Sequence, residues 1–346
     1  MSQHIKEADG TSGQDTNTGS GIKTGHIQDG AVTDEKIAGP ISRAKIEKYA
    51  KVAVVAQSGG DYTNPLIAMQ YLDNWCGIPS SSNPCLLKIM PGVYYTWNMI
   101  KMKDYVDIEG FGEDLTTIDG TYTSSNLYGE GVISLNNVAG SAEIRSLTVV
   151  IDGQGSSRSI GINCSSGAAV TINNVTAKSI GVNSGSNFAI EAAGPCIVNL
   201  RNTTAIASDG RQVKAVRSNL GTYLKISNVT AEASNGSDQC VGIYVGSGLA
   251  ELSDVTSSAV GVTGIAIHGS NSSIFMKNVI ADGEGQSVHN DYGTLNIYTS
   301  LLNGVFGNGG TAYVAHSQLK KDGIINGGFL KCFGTYDENF DPIICP

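Results

Sequence analysis

One short phrase recurs along the middle of the chain, and no other feature of the sequence restricts the fold so strongly. Ile172-Asn-Asn-Val-Thr176 is followed by Leu200-Arg-Asn-Thr-Thr204, Ile226-Ser-Asn-Val-Thr230, Leu252-Ser-Asp-Val-Thr256 and Met276-Lys-Asn-Val-Ile280, with a fainter copy, Ile144-Arg-Ser-Leu-Thr148, in front. The leading apolar residues are 28, 28, 26, 26 and 24 residues apart. A period in this range marks units that stack side by side because none can bury its apolar face alone. A second column, Ile162, Ile190, Val216, Ile243, Ile265 and Val288, advances in step with the first. Two strand columns moving together make each repeat one coil, and parallel stacking satisfies both. With strands about 4.8 Å apart, about ten coils make a rod of about 50 Å.

The phrase itself contains a bend. Ile172 and Val175 are three residues apart, so both cannot point inward along a flat strand of period two. Asn174, Asn202, Asn228, Asp254 and Asn278 fall at that bend in successive coils. Asn and Asp tolerate the left-handed backbone region, and their side chains can hydrogen-bond from coil to coil. Asn174-Val-Thr176, Asn202-Thr-Thr204 and Asn228-Val-Thr230 also match the N-glycosylation sequon. A structural ladder predicts the same residues, and the reading taken is the ladder.

Only 15% of the residues are charged, and the formal net charge is −9. An acidic chain is poorly suited to a nucleic-acid backbone or an anionic membrane surface, so neither is expected as a partner. No apolar run reaches transmembrane length, and Met1-Ser-Gln-His-Ile-Lys lacks a signal-peptide pattern, which leaves a removed signal or another export route. Of the seven cysteines, Cys76 with Cys85 and Cys332 with Cys345 are spaced for local disulfides outside the repeat, pointing to an oxidising destination. Cys164, Cys196 and Cys240 lie inside the repeat and read as small buried thiols.

Residues 1–20 are rich in Gly, Ser, Thr and Asp and read as a disordered or partner-ordered tail. In residues 21–50, isoleucines and a valine recur every four or five positions, a spacing that fits neither a lone helix nor a lone strand. Its stretch Ile27-Gln-Asp-Gly-Ala-Val-Thr-Asp-Glu-Lys-Ile37 resembles the "DGAVT..KI" repeats of tail-fibre and other bacterial surface proteins. That resemblance implies an attachment segment through which the chain forms a homo-oligomer, a trimer or a filament; an ordinary linker is the alternative. Lys51-Val-Ala-Val-Val-Ala56 reads as a buried strand, and Asn64 and Pro65 open a helix that ends near Trp75.

From Val52 to Gly120, the strand ending in Ser-Gly-Gly-Asp, the short helix, "KIMPGVYY" and "YVDIEGFGEDLTTIDG" together resemble the start of a right-handed parallel β-helix of the pectin lyase-like superfamily. The similarity is greatest to pectin methylesterases, and in that superfamily the short helix covers the open end of the coil. The expected fold class is therefore all-β: a single-stranded right-handed parallel β-helix of about ten coils, with one short N-terminal capping helix. The β-helix with its N-terminal cap is assigned to residues 51–328, where Leu295-Asn-Ile-Tyr298 and Ala312-Tyr-Val-Ala-His316 read as shorter last coils. Residues 329–346 are assigned to a C-terminal cap, because an exposed last coil would offer an unpaired edge.

On this scaffold a ligand site is expected on outward positions of neighbouring coils. The outward column beside the second apolar set reads Asn163, Glu191, Arg217, Tyr244, Ala266 and His289. Glu191, Arg217, Tyr244 and His289 are the candidate glycan-binding residues, since a carboxylate, a guanidinium and aromatic rings in line suit a sugar. The alternative is a surface salt bridge beside an exposed tyrosine. Asp119, Asp152, Asp209 and Asp282 each precede Gly and read as turns rather than catalytic carboxylates. His268 and His289 lack a partner at a recognisable spacing. No pectin methylesterase, polygalacturonase or pectate lyase residue set is present, so no catalytic residue, metal or cofactor is assigned. The expected function is that of a non-catalytic structural or adhesive β-helix, extracellular, on a cell surface or on a phage-like particle, with a polysaccharide as possible partner. The alternative is a diverged carbohydrate-active esterase or lyase.

Overall fold

The computed structural model describes residues 48–120, 131–153, 158–181, 185–261, 263–319 and 323–343. The expected tail at 1–20, the segment 21–50 up to residue 47, and Cys345 lie outside the described residues. The chain divides into two compact units, Met1–Ala50 and Lys51–Pro346. In the first, Lys48 places its Nζ 5.0 Å from the ring centroid of Tyr49. All the strands and helices described belong to the second.

A column of twelve parallel strands runs unbroken from Lys51–Val55 to Phe329–Phe333, each strand in register with the next. The register is that of the repeat: Ile144 pairs with Ile172, Ile172 with Leu200, Leu200 with Ile226, Ile226 with Leu252 and Leu252 with Met276. All six side chains are at most 1% exposed, so the leading apolar residues form one continuous stack. Burying each contributes roughly 1.5 to 3 kcal/mol. After the bend, Leu147, Val175, Val229, Val255 and Val279 form a second stack, interrupted by Thr203. Thr203 is buried, and its hydroxyl donates to the Arg201 carbonyl at 2.8 Å, which satisfies it locally.

The coils between Cys85 and Asn326 have three sides where the sequence suggested two. The 23-residue strand Ile197–Asn219 turns at Asn202 (φ 46°) and again at Asp209 (φ 57°). Because the chain stays hydrogen-bonded to its neighbours through both corners, the side between them carries no separate motif. The first corner is the predicted ladder: Asn174, Asn202, Asn228, Asp254 and Asn278 all have φ between 46° and 56°. Asn228 Nδ2 donates to Asn202 Oδ1 at 2.7 Å and Asn278 Nδ2 to Asp254 Oδ1 at 2.5 Å, whereas Asn202 Nδ2 reaches Asn173 Oδ1 at 3.0 Å. The second corner repeats the device, with Asn235 Nδ2 donating to Asp209 Oδ1 at 2.9 Å. Asn228→Gly keeps the left-handed corner and is expected to cost only the side-chain bond, about 0.5 to 1.5 kcal/mol. Asn228→Val also meets the steric penalty at positive φ, a further 1 to 2 kcal/mol or so, which urea unfolding of the two variants would register.

The N-terminal end is covered as the sequence suggests, although the single helix is divided. Asn64 Oδ1 accepts from the Leu66 amide at 2.9 Å and caps Pro65–Gln70; a second helix, Leu72–Trp75, follows a break at Tyr71. Leu66, Ala68, Met69 and Leu72 are buried at this end of the core. A Cys76–Cys85 disulfide, with Cα atoms 6.0 Å apart, ties the helical segment to the strand Cys85–Ile89. Cys164, Cys196 and Cys240 are free and buried. At the other end Phe329–Phe333 pairs with Thr311–Ala315, so the coil register runs through Phe333 rather than ending at residue 328. Beyond it, Tyr336 forms bridges with Gln318 and Pro342. Among the described residues no helix is long and apolar enough to cross a membrane.

Candidate functional site

The third side of each coil carries the polar row. Its strands alternate in and out until a local kink, where two successive residues both enter the core: Ala189-Ile190, Ala215-Val216 and Ala266-Ile267. The parity of the strand therefore resets at the kink. The outward positions after it are Asn163, Glu191, Arg217, Tyr244, His268 and His289, paired coil to coil. This corrects the expected column at one place. Ala266 is fully buried in the core, and His268 stands between Tyr244 and His289. The expected column aligned Ile265 with Ile243, whereas Ile243 pairs with Ile267, and Ile265 lines a surface cavity before the kink.

Glu191, Arg217, Tyr244 and His289 thus lie on one row, and the fold adds residues that the sequence did not single out. Glu191 is completely buried, and its Oε1 receives both the Arg158 and the Arg217 guanidinium groups. Phe188 lies between those two groups, each guanidinium carbon being 4.9 Å from its ring centroid. The Lys214 Nζ stands 4.0 Å from the Tyr244 ring centroid. Tyr244 meets His268 edge-on at 5.1 Å, and His268 meets His289 at 5.0 Å. Asp291 closes the row: its two carboxylate oxygens sit 3.0 Å from His268 Nε2 and 2.9 Å from His289 Nε2.

The electrostatics follow from burial. Lys214 is 6% exposed, and desolvation, with repulsion from Arg217 and Arg158, lowers its pKa to about 8 despite the opposing charge of Glu191. Burial also lowers His268 below the usual histidine range, against the raising effect of its Asp291 hydrogen bond. Burial raises Asp291, but its contacts with His268 and His289 outweigh that and hold it below the usual carboxylate range. Beside the row opens a cavity of about 670 Å³, lined among others by Gln212, Gln239, Thr263, Ile265, His268 and His289.

Arg158, Phe188, Lys214 and Asp291 escaped the sequence reading because no local motif marks them, and His268 was named there without its partner Asp291. One signal was available: His289 and Asp291 are two apart and must share a face, and a strand bearing His268 precedes them by one coil. The Asp-Gly pairs stay apart from this row. Only Asp209 takes a left-handed corner; Asp119, Asp152 and Asp282 lie within Thr116–Gly120, Ser141–Gly153 and Ser273–Asp291, contrary to their reading as turns. The second disulfide candidate, Cys332 with Cys345, ends on a residue outside the described ones.

No protein-family model and no curated protein sequence matches the chain. Among solved structures, ORF18 of Geobacillus virus E2 superposes with a TM-score of 0.57 at 15% identity over 83% of this chain and 60% of that one. The chain thus spans 60% of the length of that viral protein. Pectin methylesterase PemA from Erwinia chrysanthemi matches at TM-score 0.41 and 11% identity, over 85% of this chain and 91% of its own. The A-module of the Azotobacter vinelandii mannuronan C-5 epimerase AlgE4 matches at 0.36 and 11%, over 84% and 94%. The parallel register, the three-sided coils and the helical N-terminal cover together make this chain a right-handed parallel β-helix of the pectin lyase-like fold.

Proposed function

We propose that the chain is a non-catalytic β-helix of an extracellular surface or viral particle, and that it binds an acidic polysaccharide along the row from Arg158 to Asp291. One observation carries this reading: Lys214 is buried beside Arg158 and Arg217, the two arginines that share the Glu191 carboxylate. Lys214 has no ion pair of its own among the described residues, and excess buried positive charge is costly until an anion meets it. Sugar carboxylates supply such an anion, while the adjoining cavity offers room for neighbouring residues of the glycan. The shared fold with a viral protein and the tail-fibre-like stretch Ile27–Ile37 support the particle setting and assembly into a homo-oligomer through residues 21–50.

The test is calorimetric titration with a polyuronate and with a neutral glucan. Binding is expected for the polyuronate only, weakening with salt and falling as pH rises through about 8, where Lys214 loses its proton. Lys214→Met is expected to weaken it by about tenfold or more, a charge-assisted contact being worth about 1.5 to 3 kcal/mol. The same variant should be more stable than the parent at neutral pH. Its parent gains stability between pH 8 and the unfolded-lysine value, because there the unfolded chain holds the extra proton. Equal affinity for both glycans, or no effect of Lys214→Met, would refute the reading. A second reading has its own support in the acid–base groups His268, Asp291 and Lys214 beside Tyr244. Under the first reading the polyuronate is recovered intact after incubation; new reducing ends or unsaturated products would establish the second.

A further inference from the structure

We propose that His268, His289 and Asp291 form a binding site for a divalent transition-metal ion of the zinc class, with an open coordination position toward the adjoining cavity. The site follows from two properties of the fold. Strand pleating puts His289 and Asp291 on one face, and in-register stacking sets His268 directly beside His289. Asn290, between them, points inward; it is fully buried and donates to Asn308 Oδ1 at 2.8 Å, which anchors the strand from behind.

The donor geometry is close to what a small cation requires. One donor atom from each residue lies within 4.8 Å of the other two, and each Asp291 oxygen faces one Nε2 at 2.9 or 3.0 Å. Donors about 2.0 to 2.2 Å from a tetrahedral metal lie roughly 3.4 Å from one another, so small side-chain shifts suffice. Among the described residues neither Nδ1 has a hydrogen-bond partner, so no second contact there locks either ring in the tautomer that protonates Nε2. Each imidazole can therefore turn the Nε2 lone pair to a metal. Two imidazoles and one carboxylate suit Zn²⁺, Co²⁺ or Ni²⁺, whereas Mg²⁺ and Ca²⁺ prefer all-oxygen sets. Three protein donors leave a fourth position, and both histidines line the cavity of about 670 Å³.

Cobalt titration of the full chain, without glycan, tests the site through the visible absorption of tetrahedral Co²⁺. One ion per chain is expected, displaced by Zn²⁺ but not by excess Mg²⁺. His289→Ala and Asp291→Asn should each weaken it by at least about tenfold, as loss of a ligand should exceed loss of an outer-shell partner. His316→Ala and a His4→Ala/His26→Ala double variant should bind as the parent does. Asp291→Asn preserves shape and remains informative if His289→Ala unfolds. Absence of a one-to-one complex in the parent would overturn the proposal. So would unchanged binding in both ligand variants, or loss of binding only when His4 and His26 are replaced.

Discussion

Replacing Glu191 by alanine is expected to lower the unfolding free energy by roughly 3 to 5 kcal/mol, the range for breaking a buried ion pair from one side. Glu191 is completely buried and is the shared partner of Arg158 and Arg217 on the two neighbouring coils. Its removal takes the shared counter-charge away from the two guanidinium groups and from the neighbourhood of Lys214. Glu191→Gln should lose most of the same stability, because the amide keeps the shape and not the charge. Adding Arg217→Ala to Glu191→Ala should recover part of the loss, since one of the stranded cations is then gone. Thermal and urea unfolding of the four proteins would check this. A loss below about 1 kcal/mol would mean that the group behaves as an exposed surface pair.

The second large effect concerns the apolar stack. Leu200→Ala is expected to cost about 2 to 5 kcal/mol, because it opens a cavity that Ile172 on one side and Ile226 on the other cannot both collapse into. Leu330→Ala removes the same atoms from the last of the described strands, where among the described residues only Ala312 adjoins through the register. In a stack whose stability is a sum over neighbouring coils, an interior position breaks two interfaces and a terminal one breaks one. The cost at Leu330 should therefore be about half that at Leu200, measured as the shift of unfolding midpoint in the same denaturant. Equal costs would contradict a nearest-neighbour stack.

The coil fold was legible in the sequence because its cause is repeated. Ile172, Leu200, Ile226 and Leu252 mark the core of successive coils, and Asn174, Asn202 and Asn228 mark a corner that requires positive φ. Asn64 and Pro65 likewise announced the helical cover at the N-terminal end. The side between the Asn202 and Asp209 corners stayed hidden, since its strand continues without a break. Ala266 was misplaced because Ile265 and Ile267 are both apolar and two apart, so the sequence offers two registers, and only the pairing of Ile243 with Ile267 chooses between them.

The candidate site divides in the same way. Glu191, Arg217 and Tyr244 could be aligned from the period alone, because equal spacing in parallel coils becomes adjacency in space. That Glu191 is completely buried between two arginines, that Lys214 lies over Tyr244, and that Asp291 joins His268 to His289 were decided only by the tertiary structure. By itself the sequence determined the stacking of coils and the corners that bend them, since both depend on backbone tolerance and apolar periodicity. It did not determine which polar groups share one desolvated patch, because charge pairing and burial are properties of side chains from different coils once they are brought together.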